Sequence, residues 1–198
     1  MTKRRSVRQF KDAPVPKELV DRVVAAAFHA PSGAGRWGFN VVVVDDPRLK
    51  ARLRGVCESG EKDWLEGQPA RVKERVLALP NFKFEKEFLT EAPVLLVFST
   101  DPDDPETPYA VESCWLAVGF SVLAAEELGL GTLTYTPGVL QTPRAEVLGH
   151  LLALPASERV QVILPLGYPA ARPPPRSRVK TWGKVHHNAR GIPYALSG

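Results

Sequence analysis

The sequence predicts a layered domain of helix and sheet, α/β or α+β in class, and three observations carry that expectation. Short β-branched runs such as "FNVVVV", "APVLLVFS" and "RVQVILPLG" alternate with longer stretches in which apolar residues recur every three to four positions. Pro, Gly and Asp clusters punctuate them. The chain of 198 residues, 44% hydrophobic and 24% charged, is long enough for one core with helices against a sheet.

Each element has its own reason. Within "APVPKELVDRVVAAAFHAPSG", Leu19, Val20, Val23, Val24, Ala27 and Phe28 share one helical face, and Pro16 suits a first turn. The helix stops at Ala30, because a residue before proline avoids the helical region. The valine run that follows reads as a buried strand ended by Asp45, Asp46 and Pro47. Leu49, Leu53 and Val56 mark a short second helix, followed by a polar segment and then an amphipathic helix from Trp64 to Leu79. "NFKFEKEF" fits strand and helix equally and is expected to be a mobile covering segment.

"APVLLVFSTD" is the second strand, and the aspartates and prolines of "DPDDPETP" can continue neither element. "YAVESCWLAVGFSVLAAEELGLG" is a helix apolar on nearly every side, which predicts burial within the domain or at a subunit contact, with Gly129 as its cap. "TLTYT" is expected as a third strand, Thr142-Pro143 as the opening of a helix, and "RVQVILPLG" as a fourth strand. The proline-rich end, from about residue 168 to 198, should run extended over the surface of a single domain spanning 1–198.

Composition narrows the chemistry. The net charge of +4 comes from interleaved cations and anions, so no nucleic-acid stripe is evident, while a small anionic ligand suits the excess. Cys57 and Cys114 lack CxxC spacing, which speaks against a zinc site, and Cys114 is expected in the core. His186 and His187 have no accompanying ligand cluster, and His150 is expected on a polar helix face. "GFSVL" is no nucleophile elbow, and "GLG" follows a helix instead of opening one, so neither a serine hydrolase nor a dinucleotide fingerprint is present. The apolar run around Cys114 is too short to span a bilayer and no signal peptide opens the chain, so no membrane partner and a cytoplasmic location are expected.

Four segments remain that suit a phosphate or a flat ligand. "RRSVR" offers forked guanidinium donors and a hydroxyl, "APSG" and "YTPG" bring small residues and backbone amides, and "RSR" adds Arg176 and Arg178. Their order, together with "LAAEELGLGT" and "LPLGYP", resembles the nitroreductase family along nearly the whole chain.

That resemblance implies an α+β three-layer fold with a central, mostly antiparallel sheet flanked by helices. It also implies an intertwined homodimer holding non-covalent FMN at the subunit interface. Carried onto this chain, Arg4, Arg5, Ser6 and Arg8 would serve the FMN phosphate and the polar flavin edge, with Arg5 acting mainly through its backbone. Pro31, Ser32 and Gly33 would come from the partner subunit. Thr134, Tyr135, Thr136, Pro137 and Gly138 would line the flavin near its N5, and Arg176 and Arg178 would hold the phosphate.

This chain reads "GAGRWGFN" where the family usually carries an asparagine and then Gln-Pro-Trp. Gly35 stands for the asparagine, Trp37 for glutamine, Gly38 for proline and Phe39 for tryptophan. Either loop backbone groups replace the two missing polar partners, or flavin affinity and electronics differ. Trp37 suits stacking on a ring or a place in the core.

The activity implied is ping-pong transfer of electrons from NAD(P)H, a transient donor, through FMN to nitroaromatic, quinone or similar small-molecule acceptors. The flavin carries the chemistry, so no side chain is assigned as an obligatory acid or base. Two alternatives keep the fold: another flavin reaction (flavin fragmentation, dehalogenation or azoline oxidation), or a regulatory flavin-binding module with little turnover.

Overall fold

A computed structural model describes residues 4–80, 82–136, 138–171, 173–174 and 184–192. The elements are α1 (Lys17–Phe28), β1 (Asn40–Val44), α2 (Pro47–Glu66), α3 (Ala70–Leu77), α4 (Phe88–Glu91), β2 (Val94–Thr100), α5 (Ala110–Glu127), β3 (Gly131–Thr132), α6 (Ala145–Leu151) and β4 (Arg159–Gly167). Short 3-10 turns lie at Gly33–Gly35 and Gly138–Gln141.

The four strands form one antiparallel sheet in the order β1-β2-β4-β3. Every residue of β2 is buried because both faces of the sheet are covered. Leu95 and Val97 pack with Leu53 and Cys57 of α2 and Leu148 of α6, whereas Val94, Leu96 and Phe98 pack with Val23 of α1 and Cys114 and Val118 of α5. Helix, sheet and helix thus make three layers, and double coverage explains why the central strands β2 and β4 of an antiparallel sheet read as nearly unbroken apolar runs. The register skips Gln161 of β4 opposite Phe98/Ser99, which turns Val160 to the opposite face from Val162.

Most boundaries match the sequence expectation. Asp46 caps α2 by accepting from the Leu49 N–H at 2.6 Å, with Pro47 in the first turn. Gly129, at φ +76°, closes α5 in a Schellman turn: Leu130 N–H donates to Ala125 O and Gly129 N–H to Glu126 O.

Four expectations need correction. The valine run read as a buried strand is an edge strand in which only Val44 is buried and Val43 is 46% exposed. The short helix and polar segment after Asp46 are one helix of 20 residues, whose buried face includes Lys50 and Gly60 beside Leu53 and Cys57. The helix expected from Trp64 to Leu79 is instead the end of α2, a turn at Gly67–Pro69 and α3. "TLTYT" pairs as a strand only at Gly131–Thr132, with Tyr135 returning in an isolated bridge to Ile163.

Candidate functional site

The basic opening is fastened to the edge of the sheet. Ser6 bridges Thr132 of β3, the Val7 N–H donates to Thr132 O at 2.9 Å, and Lys11 N–H to Tyr168 O at 2.8 Å. Val7 and Phe10 are buried, so Arg4, Arg5, Ser6 and Arg8 are displayed from a strand-like segment. Glycines permit this close approach. A Cβ on Gly131 would lie 2.7 Å from Val7, and one on Gly167 would lie 2.9 Å from Phe10. Among the described residues, Arg4 and Arg8 have no carboxylate partner, and the Arg5 guanidinium donates to the Pro174 carbonyl.

Thr134 and Thr136 lie exposed just beyond β3, on the same sheet edge as the arginines. Tyr135 between them departs from the expected flavin contact. Its ring is 9% exposed, packs edge-on against Phe88 at 5.1 Å and sends its hydroxyl to Glu61 Oε2 at 3.3 Å. Alternation along an extended segment explains this: with Tyr135 turned inward, its two neighbours turn outward. Its backbone N–H and C=O both pair with Ile163, so neither its ring nor its amide is turned to a flavin. Gly138 opens the following 3-10 turn, and Pro137, Arg176 and Arg178 lie outside the described residues.

The Pro31–Gly38 loop is built against α5. The Gly33 N–H donates to Ser113 Oγ at 3.0 Å, and a Cβ on Gly33 would come within 2.8 Å of Tyr109. Ala34, Gly35 and Trp37 all have positive φ, and the Ser32 hydroxyl is buried without a hydrogen-bond partner among the described residues. Phe39 stacks on Phe28 in the core at 5.1 Å. Trp37 is 46% exposed and donates its indole N–H to Phe28 O, so the core reading for it does not hold.

One chain does not bring this loop to the arginines. Thr132, beside Ser6, sits opposite Leu166, which sits opposite Val94 at the start of β2. Asn40, which ends the loop, sits opposite Ser99 near the other end of β2. Five strand steps of roughly 3.3 Å put the two ends ~17 Å apart.

A second group, not foreseen from the sequence, lies on the sheet face covered by α2. The Lys86 ammonium stands 3.9 Å from Glu61 Oε2, with side chains only 7% and 12% exposed. That distance exceeds a hydrogen bond, so the pair is open. Lys86 is held at both ends: its backbone N–H donates to Glu58 at 2.7 Å, and its ammonium donates to Lys83 O and lies 4.9 Å over the Phe82 ring. The expected mobile segment is therefore anchored by a buried Lys86 and Phe88.

Burial lowers the Lys86 pKa against the opposing pull of Glu61 and Glu58. Burial likewise raises the Tyr135 phenol and, with Glu61 beside it, pushes the Cys57 thiol up to about 12. A separate cleft of about 300 Å³ is lined by Lys62, Leu65, Glu66, Lys73 and Phe84, and neither Glu61 nor Lys86 lines it. Neither Glu61 nor Lys86 carries a sequence signal, since both lie in stretches rich in charge.

The residues at the sheet edge fit FMN. Arg4 and Arg8, lacking carboxylate partners, beside Ser6 make a donor set for a phosphate, and the unpartnered Ser32 hydroxyl and positive-φ backbone of the loop suit a flat polar ring. A sequence profile described as "Nitroreductase family" matches residues 1–168. The chain belongs to the nitroreductase family.

Within this family its similarities point to a subgroup. An iodotyrosine deiodinase from Thermotoga neapolitana is 41% identical over 180 residues, covering 89% of this chain and 91% of the relative. One from Haliscomenobacter hydrossis is 33% identical, covering 86% and 78%. A crystal structure of oxidized iodotyrosine deiodinase bound to FMN and 3-iodo-L-tyrosine superposes with a TM-score of 0.76 at 39% identity, covering 89% of this chain and 91% of that one. An FMN-dependent nitroreductase from Clostridium difficile gives 0.74 at 25%, covering 95% and 96%.

These relatives correct the expected activity. The expected transfer of electrons from NAD(P)H to nitroaromatics or quinones is not what these relatives support: those 33–41% identical are deiodinases, which favours the dehalogenation alternative over it. Among the described residues no group of ligands could hold a metal, and no helix is long and apolar enough to cross a membrane.

Proposed function

We propose that this protein is an FMN-dependent reductive dehalogenase of halogenated aromatic amino acids, with 3-iodo-L-tyrosine as the model substrate. The observation that carries the reading is the open, buried Lys86–Glu61 pair. Two opposite charges out of water are costly unless their hydrogen-bonding capacity is used. An amino-acid zwitterion uses it, its carboxylate accepting from Lys86 and its ammonium donating to Glu61.

Replacing a carbon–halogen bond by a carbon–hydrogen bond consumes two electrons and one proton and releases halide; FMN, when bound, supplies the electrons. The chain's own work is placement. Arg4, Ser6 and Arg8 would hold the phosphate and the polar edge of the flavin, with Arg176 and Arg178 joining the phosphate clamp as the family resemblance implies, and the exposed Thr134 and Thr136 would be available to the ring. The Pro31–Gly35 loop would complete the seat from a second copy, because it leads into Asn40, ~17 Å along the sheet from the level of Thr132 and Ser6. Leu116, Phe120 and Leu123, exposed at helical spacing on α5 beside Trp115, give that homodimer an apolar contact.

The test is a single turnover. FMN-loaded protein reduced anaerobically with dithionite is mixed with 3-iodo-L-tyrosine, and iodide and tyrosine are measured by chromatography. One iodide per flavin is expected. No iodide release, with a nitroaromatic consumed in its place, would overturn the reading. Repeating the reduction with NADH and NADPH identifies the electron donor.

A further inference from the structure

Glu61 has two neighbours competing for one oxygen. Its Oε2 accepts from the Tyr135 hydroxyl at 3.3 Å and faces the Lys86 ammonium at 3.9 Å, while its Oε1 has no partner among the described residues. The phenol cannot follow the carboxylate. The Tyr135 backbone exchanges both hydrogen bonds with Ile163, at 3.1 and 2.9 Å, and its ring is wedged against Phe88. Lys86 is equally fixed, by Glu58 through its backbone and by the Lys83 carbonyl through its ammonium. Glu61, whose side chain is only 12% exposed but whose Oε1 has no partner among the described residues, is the member left to rotate.

We propose that Tyr135 is a positioning residue that holds Glu61 away from Lys86, keeping the pair open and setting selectivity for zwitterionic over uncharged halophenols. The inference rests on the reading that Lys86 and Glu61 take the amino-acid end of the substrate. Without the hydroxyl, nothing opposes the attraction between two buried charges. The carboxylate then closes onto Lys86, and a ligand must break a formed ion pair before it can bind. A neutral halophenol, with no group for either charge, is indifferent to that closure.

The test uses FMN-loaded protein and calorimetric titration with 3-iodo-L-tyrosine and 2-iodophenol. Tyr135→Phe keeps the ring against Phe88 and removes only the hydroxyl. Its dissociation constant for the amino acid is expected to rise about tenfold, equivalent to about 1.4 kcal/mol, with that for 2-iodophenol within about twofold. In a Glu61→Gln background, whose side chain has no charge to be drawn onto Lys86, Tyr135→Phe should add nothing.

An equal change for both ligands, as a loss of packing would give, overturns the inference. So does an unchanged amino-acid constant, or an effect that persists with Glu61→Gln. A wild-type protein that binds the amino acid no better than 2-iodophenol overturns the reading beneath it, and the inference with it. The wild-type titration therefore separates the two failures.

Discussion

The two halves of α2 each serve a buried lysine, and they treat it differently. At the start of the helix, Lys50 is 6% exposed and donates to the carbonyls of Ala92 and Pro93 at 2.8 and 3.2 Å. Those acceptors are rigid backbone at the entrance to β2, so the charge is neutralised by dipoles and the contact is closed. Beside the second half, Lys86 faces a carboxylate too far away for a hydrogen bond. Equal burial hides unequal completion. A cation met by two carbonyls holds strands in place, and one that has only the Lys83 carbonyl keeps donors for a ligand.

Removing each lysine should separate these roles most sharply. Lys86→Met is expected to weaken 3-iodo-L-tyrosine binding roughly 10- to 100-fold, from hydrogen bonds to charge worth ~1.5–3 kcal/mol. Calorimetry on the FMN-loaded protein checks it, and unchanged affinity would erase the distinction. Lys50→Met should do the opposite. It strips two buried carbonyls of their donor at a cost of about 1–3 kcal/mol, read by urea denaturation, and leaves ligand affinity alone.

Alkaline pH tests what the lysines share. Burial depresses both pKa values below 10.5, against the raising pull of Asp45 and Asp46 on Lys50 and of Glu61 and Glu58 on Lys86. Between each lowered value and 10.5 the unfolded chain binds more protons than the folded one. Stability from these groups should therefore rise with pH through that window. Denaturation curves collected from near neutrality upward should show the rise, and Lys50→Met should remove part of it. The smallest effect is expected at the exposed tie between Asp63 and Arg144. Asp63→Asn should change stability by about 1 kcal/mol or less, with the difference shrinking in high salt.

How much of this was readable follows the same division. α1, α5 and the β1, β2 and β4 strands have apolar faces or runs, and their ends carry local signals such as Ala30-Pro31, Asp46 and Gly129. α2 was cut short in reading because its buried face is Lys50, Leu53, Cys57 and Gly60, and a count of apolar residues passes over a lysine and a glycine. β3 shrank to two residues because its edge is completed by the N-terminal segment, a pairing more than a hundred residues distant.

The site divides likewise. The arginine opening, the APSG loop and the TPG turn were legible as motifs, since phosphate and flat rings call for recognisable residue types in short runs. By itself the sequence determined the periodic elements, their caps and the membership of a flavin-binding family, because each depends on neighbours within a few residues. Only the tertiary structure decided which charges lose water, that Tyr135 turns inward to Glu61, and that the loop and the arginines occupy opposite ends of the sheet. Burial is set by segments far apart in the chain, so a lysine in "EKEF" looks like any solvated lysine until α2 is folded over it.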